Sequence, residues 1–181
     1  MLDLGLGEGI MRECDRFWPH YSEVIRNRKS CVLDLALDCI ENDGTRQVVV
    51  LGAGMDALSI ELCSRLDCVV FDVDSAGMGR KEQLVGALAQ DLRGALRCVT
   101  ADASRRASVT SGLAGAGWSR DEPSLLVVEG LSYYLTAGDL WGLASGFSTA
   151  HRDNRMILEY LLPTCDIPED LRPVASRRLT S

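Results

Sequence analysis

The sequence predicts an α/β fold in which a mostly parallel β-sheet is covered by helices on both faces. Short, largely apolar runs alternate with helical stretches, a glycine turn follows the first run, and acidic residues follow the later ones. A strand that stays apolar along its length is buried on both faces, which is typical of parallel sheets. With 181 residues the chain is long enough for one such core and too short for two.

The first part of the chain is predicted to be helical. A helical rhythm of apolar residues runs over about 19–42, and the cluster Asn42, Asp43 and Gly44 ends it. The alternation of strands and helices begins after this cluster. The elements that follow are expected in this order: strand 48–51, glycine turn 52–54, helix 56–66, strand 68–71, helix 78–92 and strand 96–99.

The second half of the chain continues the alternation, with strands expected at 124–128 and 155–160. Thr136 and Asp139 have the spacing of a capping box, which predicts a helix beginning there. The Ser-, Gly- and Ala-rich stretch 103–120 is expected to hold one helix. We divide the chain into a helical cap (1–44), an α/β core (45–162) and an irregular tail (163–181).

Composition excludes several classes of function. A net charge of −7 argues against nucleic acid as a partner, because nucleic-acid binders carry a basic surface. No run approaches the roughly 20 apolar residues of a membrane span, and the start lacks a signal peptide, so we expect a cytoplasmic protein without a membrane partner. The seven cysteines form no CxxC pair, which predicts buried, reduced thiols and no metal site.

The glycine turn Gly52-Ala53-Gly54 and the acidic end of the second strand predict a ligand site. Glycines let the backbone approach a ligand closely, and open parallel sheets bind ligands at the carboxyl ends of their strands. Asp72 and Asp74 follow the turn by about 20 residues, the distance at which a carboxylate reaches ribose hydroxyls. We favour Asp74 for this contact and keep Asp72 as the alternative; Asp74 could also simply cap the next helix.

Two further acids follow the third and fourth strands. Asp102, with Ala103 beside it, could accept a hydrogen bond from an adenine amine, or could lie in a solvent-facing turn. Glu129 would be costly to bury without a cation. Its partner is expected to be either a ligand ammonium group or an arginine of the chain.

A nicotinamide-dependent dehydrogenase is one enzyme to which this glycine turn could belong. The turn from Gly52 to Ala57 also fits the pattern GxGxxA, and Asp72 lies 20 positions after Gly52. A dinucleotide site, however, requires neither the long leading helix nor the acids at 102 and 129. Because these features are left unexplained by a dinucleotide site, we keep NAD(P)-dependent hydride transfer as the alternative function.

The segments 46–56, 70–74 and 126–131 together resemble the leucine carboxyl methyltransferase family, which includes O-methyltransferases of polyketide pathways. The similarity runs over about 26–160, and its most specific part is the turn LGAGMD, in which an aspartate replaces the usual third glycine. The resemblance implies a Rossmann-like class I methyltransferase fold. Because such a sheet has about seven strands, the five visible here predict truncation after the fifth strand or closing strands supplied from elsewhere.

The resemblance also implies S-adenosylmethionine as the cofactor and S-adenosylhomocysteine as the product. An arginine of the leading helix commonly reaches the cofactor carboxylate in this family, and Arg28 matches it, or Arg26 if the register shifts. The family usually continues the turn with Asp-Thr-Arg, whereas this chain has Asp56-Ala57-Leu58. That departure removes a hydroxyl and a guanidinium beside the cofactor.

The function that the resemblance implies is O-methylation of a small-molecule carboxylate or hydroxyl. The catalytic residues stay unassigned, and the aromatic residues predicted to line the acceptor pocket are Tyr21, Tyr133 and Tyr134, with His20 beside them. A non-catalytic cofactor-binding module that needs a partner is the third alternative. An exposed sheet edge would also favour a homodimer.

Overall fold

A five-stranded parallel sheet forms the centre of the chain, in the order β3-β2-β1-β4-β5. The structure is a computed structural model that describes residues 6–88, 90–92, 95–147, 153–161, 164–166 and 169. The predicted α/β fold with a parallel sheet is confirmed. The strands are β1 (Gln47–Leu51), β2 (Val69–Asp74), β3 (Leu96–Thr100), β4 (Ser124–Val128) and β5 (Arg155–Leu158).

Within the residues that the structure describes, six α-helices accompany the sheet. They are α1 (Leu6–Phe17), α2 (Tyr21–Asn42), α3 (Leu58–Arg65), α4 (Met78–Leu88), α5 (Arg106–Gly115) and α6 (Ala137–Gly146). Short 3-10 turns occur at Gln90–Leu92, Ser132–Tyr134 and Thr164–Asp166. Among the described residues, no helix is both long and apolar enough to cross a membrane, and no group of three or more potential metal ligands is found.

The sheet has a hydrophobic core on each face. Val48 and Val50 of β1 pack with α2, α3 and α4 on one face, whereas Val49 and Leu51 pack with α5 and α6 on the other. Successive side chains of a strand point to opposite faces, so one apolar strand serves both cores. This is the physical basis of the continuous apolar runs in the sequence.

The predicted helices differ from the observed ones mainly at their ends. The leading helix begins at Tyr21 because His20 adopts a left-handed conformation (φ 67°), and α1, which precedes it, was not predicted. The third helix begins at Leu58, whose amide donates to the Asp56 carboxylate at 2.8 Å. The helix predicted over 78–92 is α4, which ends at Leu88, and a separate 3-10 turn contains Gln90–Leu92.

Other local predictions are confirmed or corrected by the structure. Thr136 and Asp139 form the predicted capping box, and α5 is the single helix expected within 103–120. The fifth strand ends at Leu158, two residues earlier than predicted. All seven cysteines are free, but the prediction that they are buried is wrong for most of them: only Cys68 is buried.

The domain division at 44 and 162 stays a prediction, and most of the predicted tail lies outside the described residues. Within the described part, β3 and β5 are the edges of the sheet. Because all five strands are parallel, their carboxyl ends form one rim. The predicted site residues Gly52, Asp74, Asp102 and Glu129 all lie at this rim.

Candidate functional site

The glycine turn is shaped both by backbone conformation and by packing. Gly52 and Gly54 have positive φ angles of 67° and 45°, which favour glycine. The amides of Gly52 and Ala53 donate to the Val73 carbonyl of β2 at 2.8 and 3.2 Å. A Cβ atom on Gly52 would lie 3.1 Å from the Leu131 side chain. The turn is therefore held tightly against the ends of β2 and β4.

Asp74 joins the end of β2 to this turn. Its Oδ2 accepts a hydrogen bond from the Gly54 amide at 3.0 Å, and its Oδ1 accepts from the Ala76 amide at 3.3 Å. The side chain is half-buried, and the carboxylate stands directly beside the predicted ligand-binding backbone. This arrangement supports Asp74 as the ribose contact.

Asp72 lies deeper in the sheet and serves the interior. Its carboxylate is 1% exposed and contacts the Lys81 ammonium at 2.6 Å and the Ser59 hydroxyl at 2.7 Å. Burial, which outweighs these two partners, raises the pKa of the Asp72 carboxyl above its ordinary value. Because Lys81 is itself 3% exposed, the pair is sealed from solvent. Asp72 is therefore poorly placed to meet a ligand.

Asp102 and Ala103 follow β3 in an exposed turn next to the β2 end. The Asp102 carboxylate accepts hydrogen bonds from the Ser104 hydroxyl and amide at 2.7 and 2.9 Å, which lower its pKa. The Ala101 amide donates to the Asp74 carbonyl at 2.9 Å and so brings this turn to the rim. The structure thus contains the solvent-facing turn that was considered as the alternative for Asp102. The Asp102 side chain is accessible there.

Glu129, after β4, is paired with two cations of α2. Its side chain is 6% exposed, and its Oε1 lies 2.8 Å from Arg28 Nε and 3.0 Å from Lys29 Nζ. Of the two partners considered for Glu129, the internal arginine is therefore present. Arg26, the alternative to Arg28, instead donates to the Ser22 carbonyl at 3.3 Å.

The pairing of Arg28 and Glu129 uses only part of each group. Arg28 Nη1 also contacts Glu159 at 3.2 Å, which leaves Nη2 as a donor without a partner among the described residues. Glu129 Oε2 likewise accepts no hydrogen bond from the described part of the chain. A spare guanidinium donor thus stands beside a spare carboxylate oxygen at the rim.

Comparison with known proteins identifies the family of this chain. Residues 9–147 match the leucine carboxyl methyltransferase family. The chain belongs to that family. The predicted resemblance and the predicted cofactor, S-adenosylmethionine, are confirmed by this match and by the relatives.

Two curated relatives of this chain are both named "putative S-adenosyl-L-methionine-dependent methyltransferase". One, from Streptomyces coelicolor, is 33% identical over 119 residues, which cover 65% of this chain and 39% of the relative. The other, from Frankia alni, is 35% identical over 119 residues and is covered to the same 39%. The chain therefore spans about two fifths of the length of each relative.

A solved structure shares the fold. The crystal structure of a protein from Thermobifida fusca, titled a putative methyltransferase, superimposes with a TM-score of 0.61 over 77% of this chain and 53% of that chain. The sequence identity is 14%, so the similarity concerns the fold alone. It confirms the predicted Rossmann-like architecture.

The predicted acceptor residues of this family member lie in two places. Tyr133 donates a hydrogen bond to Glu159, and its ring lies 6.4 Å from that of Tyr134, which is 81% exposed. His20 and Tyr21 lie at the joint between α1 and α2, where the His20 side chain is 80% exposed and contacts Glu23 at 3.3 Å. The structure connects Tyr133 to the rim site and leaves His20 on the surface.

Three rim residues were missed in the sequence. Lys29 contacts both Asp56 and Glu129, and although burial opposes it, these carboxylates raise the pKa of the lysine. Glu159 follows β5 and contacts Arg28. The signal for Glu159 was present, since it is an acid at a strand end like Asp74 and Glu129. Nothing local in the sequence marks Lys29 and Asp56 as partners.

A cavity of about 510 Å³ opens between α2 and α3 beside these charges. Lys29, Asp56 and Glu129 line it on the side of the rim, and Ile25 and Leu33 contribute apolar surface. Its other polar lining residues are Arg26, Ser30, Glu61 and Arg65. The cavity is large enough for a small organic molecule. The side lined by Lys29, Asp56 and Glu129 is continuous with the rim site.

Proposed function

We propose that this chain binds S-adenosylmethionine at the strand-end rim and contributes to methylation of an oxygen atom of a small-molecule carboxylate or hydroxyl. The observation that carries the proposal is the spare donor of Arg28 beside the spare acceptor of Glu129. An amino-acid group offers one carboxylate and one ammonium, and these two atoms complement it. The methionine end of the cofactor has this chemistry.

The nucleoside end also fits residues of the rim. Asp74 presents a carboxylate that can accept from two vicinal hydroxyls. A Cβ atom on Gly54 would meet nothing closer than the Asp74 carboxylate at 4.0 Å, so the turn leaves room for a ligand at Gly54. Ala53 would contribute backbone only, and Asp102 with Ala103 would lie at the adenine end. Arg28, Glu129 and Asp74 together would hold the cofactor along the ends of β1, β2 and β4.

The chemistry that the cofactor supplies when bound is an electrophilic methyl group on a sulfonium. The chain's own residues would mainly align the reactants, and alignment alone can supply much of a rate enhancement. A carboxylate acceptor is already ionised at neutral pH and needs no general base. The family name, which refers to a carboxyl group, supports a carboxyl acceptor. A hydroxyl acceptor would require an additional base.

The acceptor is proposed to be a small acid or phenol that contacts Tyr133 and Tyr134 near the rim, with His20 and Tyr21 as more distant candidates. The net charge of −7 disfavours a polyanionic substrate such as nucleic acid. A homodimer and a cytoplasmic location stay predictions. The exposed edge strand β5 supports the first of these.

The competing functions differ in their support. A dehydrogenase would need the acid 20 residues after Gly52, which is Asp72, and that side chain is sealed against Lys81. A cofactor-binding module that needs a partner stays an alternative prediction.

Labelled-methyl transfer separates these functions. We expect the chain to transfer labelled methyl from S-adenosylmethionine to members of a panel of carboxylic acids and phenols, and not to RNA or DNA. Cofactor binding by calorimetry without transfer to any acceptor would favour the module that needs a partner. Incorporation into nucleic acid alone would contradict the proposed acceptor class.

Asp74→Ala is expected to weaken cofactor binding by about 1.5–3 kcal/mol, because hydrogen bonds to a charged acceptor contribute about that much. Calorimetric titration with S-adenosylmethionine measures the change. Asp67→Ala is the matched control, since Asp67 is an exposed aspartate just before β2, at the opposite end of the same strand. Equal binding by the Asp74 variant and the wild type would rule out Asp74 as the ribose contact.

A further inference from the structure

Glu159 lies at the rim by extension of the β5 ladder. It is the first residue after β5, and its amide donates to the Val128 carbonyl of β4 at 3.0 Å. This bond places Glu159 beside Glu129, the first residue after β4. Its side chain is 20% exposed, so the carboxylate is largely turned into the protein.

The two oxygens of Glu159 connect three parts of the chain. Oε2 accepts a hydrogen bond from the Gly130 amide at 2.6 Å, whereas Oε1 accepts from Tyr133 and from Arg28 Nη1, the latter at 3.2 Å. Gly130 has a φ of 67°, a conformation that favours glycine, so the chain turns at the residue whose amide Glu159 binds. One carboxylate thereby fixes helix α2, the loop after β4 and the end of β5.

This contact determines how the Arg28 guanidinium can lie. Glu129 holds Nε at 2.8 Å and Glu159 holds Nη1 at 3.2 Å, so two edges of a planar group are fixed. The two N–H groups of the third nitrogen, Nη2, are then fixed in direction. With Glu159 removed, the guanidinium could rotate about its bond to Glu129, and the spare donor would lose its fixed direction.

We propose that Glu159 is a positioning residue that aligns Arg28 for the amino-acid end of the cofactor without contacting the cofactor itself. The proposal rests on the proposed cofactor site. It assigns a role to an acid that is at the end of an edge strand and has no place in the nucleoside half of the site. Its effect should therefore be confined to ligands that carry an amino-acid group.

The test compares two ligands in the Glu159→Gln variant. We expect its affinity for S-adenosylmethionine to fall about tenfold, because a charge-assisted contact to Arg28 is lost. The affinity for 5′-methylthioadenosine, which has the nucleoside but no amino-acid end, should stay unchanged. Calorimetry with each ligand gives the ratio, and the urea midpoint of each variant shows whether the fold is kept.

Asp43→Asn is the matched control, since the pair of Asp43 with Arg155 at 3.2 Å also joins β5 to the end of α2, but at the opposite end of the sheet. It should change neither affinity. Equal loss of both ligands in Glu159→Gln, or loss of neither, would overturn the positioning role. Asp74→Ala tests the cofactor site separately, because it should weaken both ligands. A wild type that binds both ligands equally well would refute the role of Glu159 while leaving the nucleoside site intact.

Discussion

Lys81→Met is expected to lower the free energy of unfolding by about 3–5 kcal/mol at neutral pH, because it leaves the Asp72 carboxylate buried without a cation. Asp72 and Lys81 are both almost completely inaccessible and lie 2.6 Å apart. After the substitution the Ser59 hydroxyl is the one described partner of the carboxylate. Urea denaturation measures the loss.

The same variant should show a characteristic pH dependence. The folded-state pKa of Asp72 is raised by burial, so the folded chain takes up this proton more readily than the unfolded chain. The contribution of such a group is greatest below its unfolded pKa and is lost as the pH rises toward the folded value. Removing Lys81 removes the cation that favours the charged carboxylate, so the pH range in which protonated Asp72 stabilises the fold extends upward. The deficit relative to the wild type should therefore be smaller at about pH 4.5 than at pH 7.

Two controls accompany this measurement. The double variant Asp72→Asn with Lys81→Met should regain part of the stability, since no buried charge is left. Arg105→Met, which removes the partner of the exposed Asp102 at 3.6 Å, should leave the urea midpoint nearly unchanged, because solvent screens an exposed ion pair. A Lys81→Met variant as stable as Arg105→Met would show that the buried pair contributes little to the fold.

Arg28→Ala is expected to weaken binding of S-adenosylmethionine by at least about thirtyfold. Truncating one member of a buried, hydrogen-bonded charge pair costs about 2–5 kcal/mol in binding, and here the proposed donor to the ligand is removed as well. Glu129 would keep Lys29 as a partner at 3.0 Å, which favours retention of the fold. Calorimetric titration of the folded variant gives the loss.

Arg26→Ala is the control for this variant. Arg26 lies half a helical turn away on α2, and its guanidinium donates to the Ser22 carbonyl of the same helix. Its side chain lines the cavity between α2 and α3 and not the strand-end rim. We expect the substitution to leave the affinity for S-adenosylmethionine within about twofold, as is usual for an exposed side chain that does not contact the ligand. Stronger loss in Arg26→Ala than in Arg28→Ala would mean that the register assigned to the leading helix is wrong.

The architecture was predictable because parallel strands buried on both faces give continuous apolar runs. Val48 to Leu51 illustrate this, since alternate side chains enter different cores. Helix α1 was missed although Leu6, Ile10 and Phe17 recur at helical spacing. Ile10 and Phe17 remain exposed, so this stripe does not belong to either core of the sheet.

The site was predictable in its location and not in its pairing. Asp72 and Asp74 are two residues apart on one strand, so they share a face, and the sequence pattern cannot separate them. The difference comes from Lys81, which reaches Asp72 from helix α4. Arg28 and Glu129 are 101 positions apart. Their contact depends on how α2 packs on the sheet, which no local pattern specifies.

The parallel rim has a consequence for folding. Arg28, Gly54, Asp74, Glu129 and Glu159 come from segments spread over most of the described chain, and strand order brings them together. Such long sequence separations slow folding, because the chain must close large loops before the contacts stabilise it. A partly folded chain would contain no binding rim at all. Ligand should therefore raise the melting temperature of the whole domain in a single cooperative step, in proportion to the logarithm of its concentration at saturating levels.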